Sequence, residues 1–351
     1  MTIIQLTERF KDTESIIDYF EYVRWSSKPV CPHCGNLKIS IRYSDFRYHC
    51  SDCRSRFSVT TNTQLHHTHI NLRYWLMAFA LISNAKKGLS ALQLHRDLGL
   101  SYSTTWSMYH RIRDMMSDGK TSLKGVVEMD ETYVGGKPRK YQYAKYGTPH
   151  TIPEYDTKID DLKGKFNFKN EDAYKKNALS ENAPRGRGTS KTPVVGIVQR
   201  NGDVVAEVMQ KTNFKNFKSM VQKYVNMPDS VLLTDEFSAY SRFDAIIEHI
   251  KIDHNKLYLY EGINTNSIES FWAIVKRGII GQYHHVSDKH LPNYIDEFCF
   301  KYNNRKFDDM FETLVFNSML PEETLFKTLN PKAKKRKKGI SRAIMGILPQ
   351  N

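Results

Sequence analysis

Gly125-Val126-Val127-Glu128-Met129-Asp130-Glu131-Thr132-Tyr133-Val134 is the stretch at which this 351-residue chain changes period. Up to about Met116 apolar residues recur at helical spacing, as in Leu72, Trp75, Leu76, Phe79 and Ile82. From Gly125 they alternate with polar residues or cluster in short β-branched blocks, the pattern of strands. Pro193 to Val198 and Val204 to Met209 continue that pattern, and Asn201-Gly202 between them signals a hairpin whose loop Arg200 and Asp203 lengthen. A helix is expected from Asn213 to Val225, and Ser230-Val231-Leu232-Leu233-Thr234-Asp235 reads as a buried strand. Strand, hairpin, helix, strand and helix predict a mixed α/β domain with a central sheet.

The acids in these segments are placed where chemistry would need them. Strand residues two apart share a face, so Asp130 lies with Glu128 and Thr132 while Glu131 points away. Alternation with Val127 and Met129 favours Asp130 as the site residue, with Glu131 as its competitor. Asp235 ends a buried strand, the position at which open α/β sheets place active sites. It either caps a helix beginning near Glu236 or binds a metal. The third segment is Asn264-Thr265-Asn266-Ser267-Ile268-Glu269-Ser270-Phe271-Trp272-Ala273-Ile274-Val275-Lys276-Arg277-Gly278. Here Asn266 to Glu269 resembles a capping box with asparagine as cap and glutamate at the third helical position. Lys276, seven residues on, shares the face of Glu269 two turns away. Each acid alone has an ordinary structural explanation. Their order points to a metal site assembled from distant segments: aspartate on a strand, aspartate ending a later strand, glutamate 33 intervening residues further, then lysine.

Upstream, Cys31-Pro32-His33-Cys34 and Cys50-Ser51-Asp52-Cys53 are two C-x₂-C pairs separated by fifteen residues. Two turns at that spacing can present four thiolates to one tetrahedral Zn²⁺. The four ligands Cys31, Cys34, Cys50 and Cys53 leave His33 and His49 without a coordinating role, and Cys299, alone in sequence, reads as a buried inert thiol. Residues 9 to 24 have helical periodicity. Between residues 70 and 118, a helix, the turn at Gly99 and a further helix from Ser101 give a helix-turn-helix pattern, with an ordinary helical bundle joining two domains as the alternative. The last of these helices carries Arg111 and Arg113, both expected to contact nucleic acid.

Lysine and arginine outnumber aspartate and glutamate 52 to 38, giving a formal charge of +14. Such an excess favours a polyanionic partner, DNA or RNA first. The tail Lys332 to Lys338 is suited to non-specific phosphate contact, and the insert at 136–192, with Arg185-Gly186-Arg187-Gly188, is either a nucleic-acid contact or a solvated surface insert. No apolar run approaches the roughly 18 residues that span a bilayer, and Met1 to Glu8 lacks a signal-peptide layout. The expectation is a cytoplasmic protein without membrane partners.

The chain resembles the DDE transposases of bacterial insertion sequences, most closely the ISXO2-like group with an N-terminal zinc ribbon. The resemblance rests on Met129 to Lys137, Thr234-Asp235, Asn266 to Trp272 with Lys276-Arg277-Gly278, Gly281 to His285, and Tyr294 to Arg305. It implies a ribonuclease H-like catalytic domain at 124–305, preceded by an N-terminal helix (1–24), a zinc ribbon (25–62) and a helix-turn-helix region (70–118), and followed by a basic C-terminal region (306–351). It also implies that Asp130, Asp235 and Glu269 hold catalytic Mg²⁺ or Mn²⁺, while Lys276 and Arg277 hold a phosphate. Relatives with asparagine as the third ligand keep Asn266 in view beside Glu269. The implied activity is binding of terminal inverted repeats, cleavage at the element ends and joining of 3′-hydroxyls to target DNA. Two ends must meet, so a homo-oligomer on DNA is expected, associated with the bacterial nucleoid.

Overall fold

The computed structural model describes residues 1–117, 121–135, 191–252, 265–305 and 310–321. The basic tail and nearly all of the insert lie outside them. At the start of the chain the structure departs from the sequence reading, with two helices in place of one. Thr2 and Asp12 each close a capping box, so α1 (Ile3–Arg9) stops at Phe10 and α2 (Thr13–Trp25) begins afresh. Phe10, which fits the helical period, instead lies between the helices with 2% exposure. The zinc module contains two short strands, β1 (Tyr48–His49) and β2 (Arg56–Phe57), paired antiparallel.

Three helices follow: α3 (Leu72–Asn84), α4 (Ala91–Leu98) and α5 (Tyr102–Met115). Gly99 adopts the left-handed conformation that ends α4, and the Ser101 side chain caps α5. These helices share one apolar core with α1, α2 and a helix from far along the chain, α9 (Met310–Met319), through Phe311, Leu314 and Val315.

The strands form one five-stranded sheet: β3 (Leu123–Val134), β4 (Thr192–Gln199), β5 (Val204–Val208), β6 (Val225–Thr234) and β7 (Glu248–Lys251). Its spatial order is β5-β4-β3-β6-β7, with β3, β4 and β5 antiparallel in turn and β6 and β7 parallel to β3. This is the ribonuclease H-like sheet. The hairpin between β4 and β5 closes where the Gln199 N–H donates to the Asp203 carbonyl at 2.8 Å, so Arg200 lengthens the Asn201-Gly202 loop while Asp203 pairs. One face packs on α6 (Phe214–Tyr224) and a 3₁₀ segment (Ser238–Ala245) through Val127, Met129, Phe217 and Tyr240. The other packs on α7 (Asn266–Gly278) and α8 (Leu291–Asn303) through Val194, Val198, Ile268 and Trp272. A π-helical turn (Ile279–Tyr283) continues α7.

Candidate active site

β3 carries its acids alternately to the two faces. Asp130 pairs with Gly196 across the β3–β4 ladder, and a Cβ on Gly196 would lie 2.7 Å from Trp272 of α7. Residues directly opposite in a ladder share a face, so Asp130 faces α7, with Glu128 beside it. Glu131 faces the other way, and the Tyr240 hydroxyl donates to its Oε2 at 2.6 Å. The parallel register puts Glu128 beside Leu233 of β6, which brings Asp130 level with Asp235, the first residue past β6. Asp235 Oδ1 accepts the Phe237 N–H at 3.0 Å, an Asx turn that leads into the 3₁₀ segment.

Glu269 comes from the first turn of α7, and here the structure corrects a local expectation. Asn266 is the first helical residue, Thr265 precedes it, and Glu269 occupies the fourth position, so no capping box forms. The N–H groups of Ser267 and Ile268 donate instead to Glu128 Oε2, at 2.9 and 3.0 Å. A helix start leaves such donors without an intrahelical partner, and a buried carboxylate from β3 satisfies them. Glu128 is fully buried, and its other oxygen accepts from Arg200 Nε at 3.1 Å. The Thr265 hydroxyl donates to Glu269 Oε1 at 3.1 Å.

Three distant segments thus bring Asp130, Asp235 and Glu269 within electrostatic reach. Burial first, then the charge of Glu131, then those of Asp235 and Glu269 raise the Asp130 carboxyl to about 7. Acids that repel one another in this way suit a cation, which reverses the repulsion, and their oxygens are the hard donors that Mg²⁺ prefers. The three are not drawn into a tight cage. Among the described residues, the group of ligand atoms lying within 4.8 Å of one another is that of the four cysteines.

Lys276 and Arg277 lie on the exposed side of α7, with Arg277 Nε donating to the Ala273 carbonyl at 2.9 Å. Arg111 is half-buried and donates to the His66 carbonyl at 2.6 Å. Arg113 is a correction. With 1% exposure it cannot reach a phosphate; its Nε donates to Glu297 Oε2 at 2.8 Å, and its guanidinium stacks on Tyr109 and Tyr294. Helical spacing shows that Arg111 and Arg113 differ in direction but not which of them faces inward. The outer face of α5 instead exposes Tyr102 and Trp106. Sequence reasoning gave no role to Glu128, Thr265 or Tyr240. For Glu128 the signal was present, two residues from Asp130 on the same strand face.

In the zinc module, Sγ of Cys31 lies 3.6 Å from that of Cys53, and Sγ of Cys34 lies 3.6 Å from that of Cys50. A tetrahedral Zn²⁺ with Zn–S bonds of about 2.3 Å requires sulfur separations of about 3.8 Å, so the four fit that ion. Without metal, burial lifts the Cys31 thiol to about 12, while hydrogen bonds from Ser55 bring Cys53 to about 6. The ribbon packs against α2: Tyr48 OH donates to Glu21 at 2.8 Å, and Trp25 meets the rings of Tyr48 and Phe57 edge-on. No described helix is long and apolar enough to cross a membrane.

The sheet order is that of a ribonuclease H-like domain, preceded in the chain by a four-cysteine module. Residues 164–303 match the ISXO2-like transposase domain, and residues 11–56 match the transposase zinc-ribbon domain. Both matches are to transposase families, one over the sheet domain and one over the cysteine module. The domain match includes Asp235, Glu269 and Lys276 and begins after Asp130. A relative from Halobacterium salinarum, an uncharacterized protein in transposable element ISH50, is 24% identical over 286 residues, covering 79% of this chain and 86% of its own. Among solved structures, a pre-cleavage Mos1 transpososome matches with 13% identity and a TM-score of 0.26, covering 75% of this chain and 79% of that one. The Mos1 strand transfer complex matches with 12% identity and a TM-score of 0.26, covering 78% and 82%. At those scores the Mos1 likeness carries no weight for this chain.

Proposed function

We propose that this protein is an active DNA transposase that cleaves DNA at the ends of its element and joins the freed 3′-hydroxyls to target DNA. The observation that supports this most is the meeting of Asp130, Asp235 and Glu269 from a strand, a strand end and a helix start. Divalent cations held by these carboxylates would supply charge stabilisation at the entering and leaving oxygens of an in-line displacement at phosphorus. Water attacks the phosphodiester at the element end, the bond to the 3′ oxygen breaks, and that oxygen leaves as a hydroxyl. In the second step this hydroxyl attacks a target phosphodiester, forming one bond as another breaks. Lys276 and Arg277 hold a neighbouring phosphate, and a cation would offset the burial and the acidic neighbours that raise Asp130.

The four cysteines hold a structural Zn²⁺, and the outer face of α5 with Tyr102 and Trp106 reads the terminal repeats beside the ribbon. Arg111 supports that face from its half-buried position. Joining two ends requires at least two copies on one DNA complex.

The test uses full-length protein and DNA carrying the sequences that flank the gene. Asp130→Asn, Asp235→Asn and Glu269→Gln are each expected to abolish Mg²⁺-dependent cleavage and joining while end binding survives in gel shifts. Wild-type joining by any of the three would remove that residue from the reaction.

A further inference from the structure

We propose that Glu128 and Thr265 are positioning residues for the third acid: Glu128 pins the start of α7 to β3, and Thr265 holds the Glu269 carboxylate in place. This rests on Asp130, Asp235 and Glu269 forming the metal site.

Glu128 has the residue type of a metal ligand, yet its bonds leave it another task. Oε2 accepts two N–H groups from the first turn of α7, at 2.9 and 3.0 Å, and Oε1 accepts from Arg200 Nε at 3.1 Å. With no exposure to solvent, it has become the cap of a helix remote in sequence. It lies two residues before Asp130 on the same strand face, and the N–H groups it accepts lie one and two residues before Glu269. One buried side chain therefore connects the backbones that carry the first and third acids. A carboxylate is well suited to the task, because the helix start concentrates partial positive charge and orphan donors.

Thr265 completes the link. It is 5% exposed, and its hydroxyl donates to Glu269 Oε1 at 3.1 Å, whereas the Glu269 side chain is otherwise on an exposed turn. An exposed glutamate samples several rotamers; a buried donor one turn back narrows them before any ion arrives. Partners behind a ligand typically shift metal affinity about 10- to 100-fold when removed.

The experiment measures Mn²⁺ affinity from the electron paramagnetic resonance of free Mn²⁺, using the zinc-loaded full-length protein. Thr265→Val keeps shape and burial and removes one hydrogen bond, and Glu128→Gln keeps one acceptor oxygen for the helix. Glu128→Ala removes the link altogether. Affinity is expected to fall about tenfold in Thr265→Val and further in Glu128→Ala, with Glu128→Gln between Glu128→Ala and wild type. Asp130→Asn serves as the reference for loss of a direct ligand. Wild-type Mn²⁺ affinity in Thr265→Val and Glu128→Gln, alongside a weakened Asp130→Asn, would overturn the proposal and leave the metal site standing. Unchanged affinity in Asp130→Asn as well would overturn the metal site itself. Should Glu128→Ala fail to fold, Thr265→Val carries the result: a lowered melting temperature with unchanged affinity assigns it to stability alone and overturns the positioning role.

Discussion

Glu297 is fully buried and still charged. Burial alone would raise its carboxyl, but Lys301 and Arg113 more than reverse this and hold it at about 2. Tyr109 and Tyr283 also donate to it, at 2.7 and 3.0 Å. Because the folded value lies below the usual 4.5, the group's stabilising contribution is complete above about 4.5 and is lost as pH falls toward 2. Urea midpoints measured across that range should drop for the wild type and flatten for Glu297→Gln. The same substitution at neutral pH leaves two buried cations short of their counter-charge and should cost about 3–5 kcal/mol in equilibrium unfolding. Asp130 is the opposite case. Burial first, and then its acidic neighbours, push it up to about 7, so ionising it costs the metal-free protein stability. Asp130→Asn should melt at or above the wild-type temperature without metal while losing Mg²⁺-dependent cleavage, as expected where function requires repelling charges. Asp130 was readable from strand alternation, whereas the inward turn of Arg113 was not. Its two-residue offset from Arg111 says nothing about which side meets Glu297, a residue 184 positions away.

At the scale of elements, α7 rests on the sheet through one missing side chain. Gly196 sits under Trp272 and Ile268, where a Cβ would approach to 2.7 and 3.0 Å. Gly196→Ala should therefore push α7 away from β4, costing about 1–3 kcal/mol and weakening Mn²⁺ binding through the displaced Glu269. Thermal unfolding and the Mn²⁺ measurement together check both effects. The ribbon is the other element with a sharp prediction. Its apolar core is small, centred on Tyr48 and Phe57 with Trp25 alongside, so metal must supply much of its folding free energy. Chelation, or Cys50→Ser, should change Trp25 fluorescence at little cost to the sheet's β signal in circular dichroism. The two cysteine pairs were legible because ligand spacing is local chemistry. The start of α7 was misread because its cap comes from β3, and no local rule for a capping box sees a donor set satisfied from 139 residues away.

On the scale of the molecule, the chain closes on itself. Helix α9 lies beyond the sheet domain in sequence yet completes the N-terminal bundle, with Phe311, Leu314 and Val315 in the core of α2, α3 and α5. Arg9 pairs with Glu312 at 3.2 Å, and Gln64 donates to the Pro321 carbonyl at 3.3 Å. A chain truncated after residue 305 should therefore lose cooperative unfolding of the bundle and expose apolar surface, measurable by calorimetry and dye binding. Sequence alone determined the helical period between residues 70 and 118, the strands from Gly125 to Asp235, the four-cysteine site and the three candidate acids, because periodicity, ligand spacing and strand alternation act over a few residues. Tertiary structure alone decided three other things: the return of α9 to the bundle, the burial of Arg113 on Glu297, and the use of Glu128 to cap α7. Each depends on a contact between segments far apart in the chain, made favourable by burying apolar surface or by giving a buried charge a partner. Periodicity shows that a side chain has an inward face; only packing shows what lies opposite.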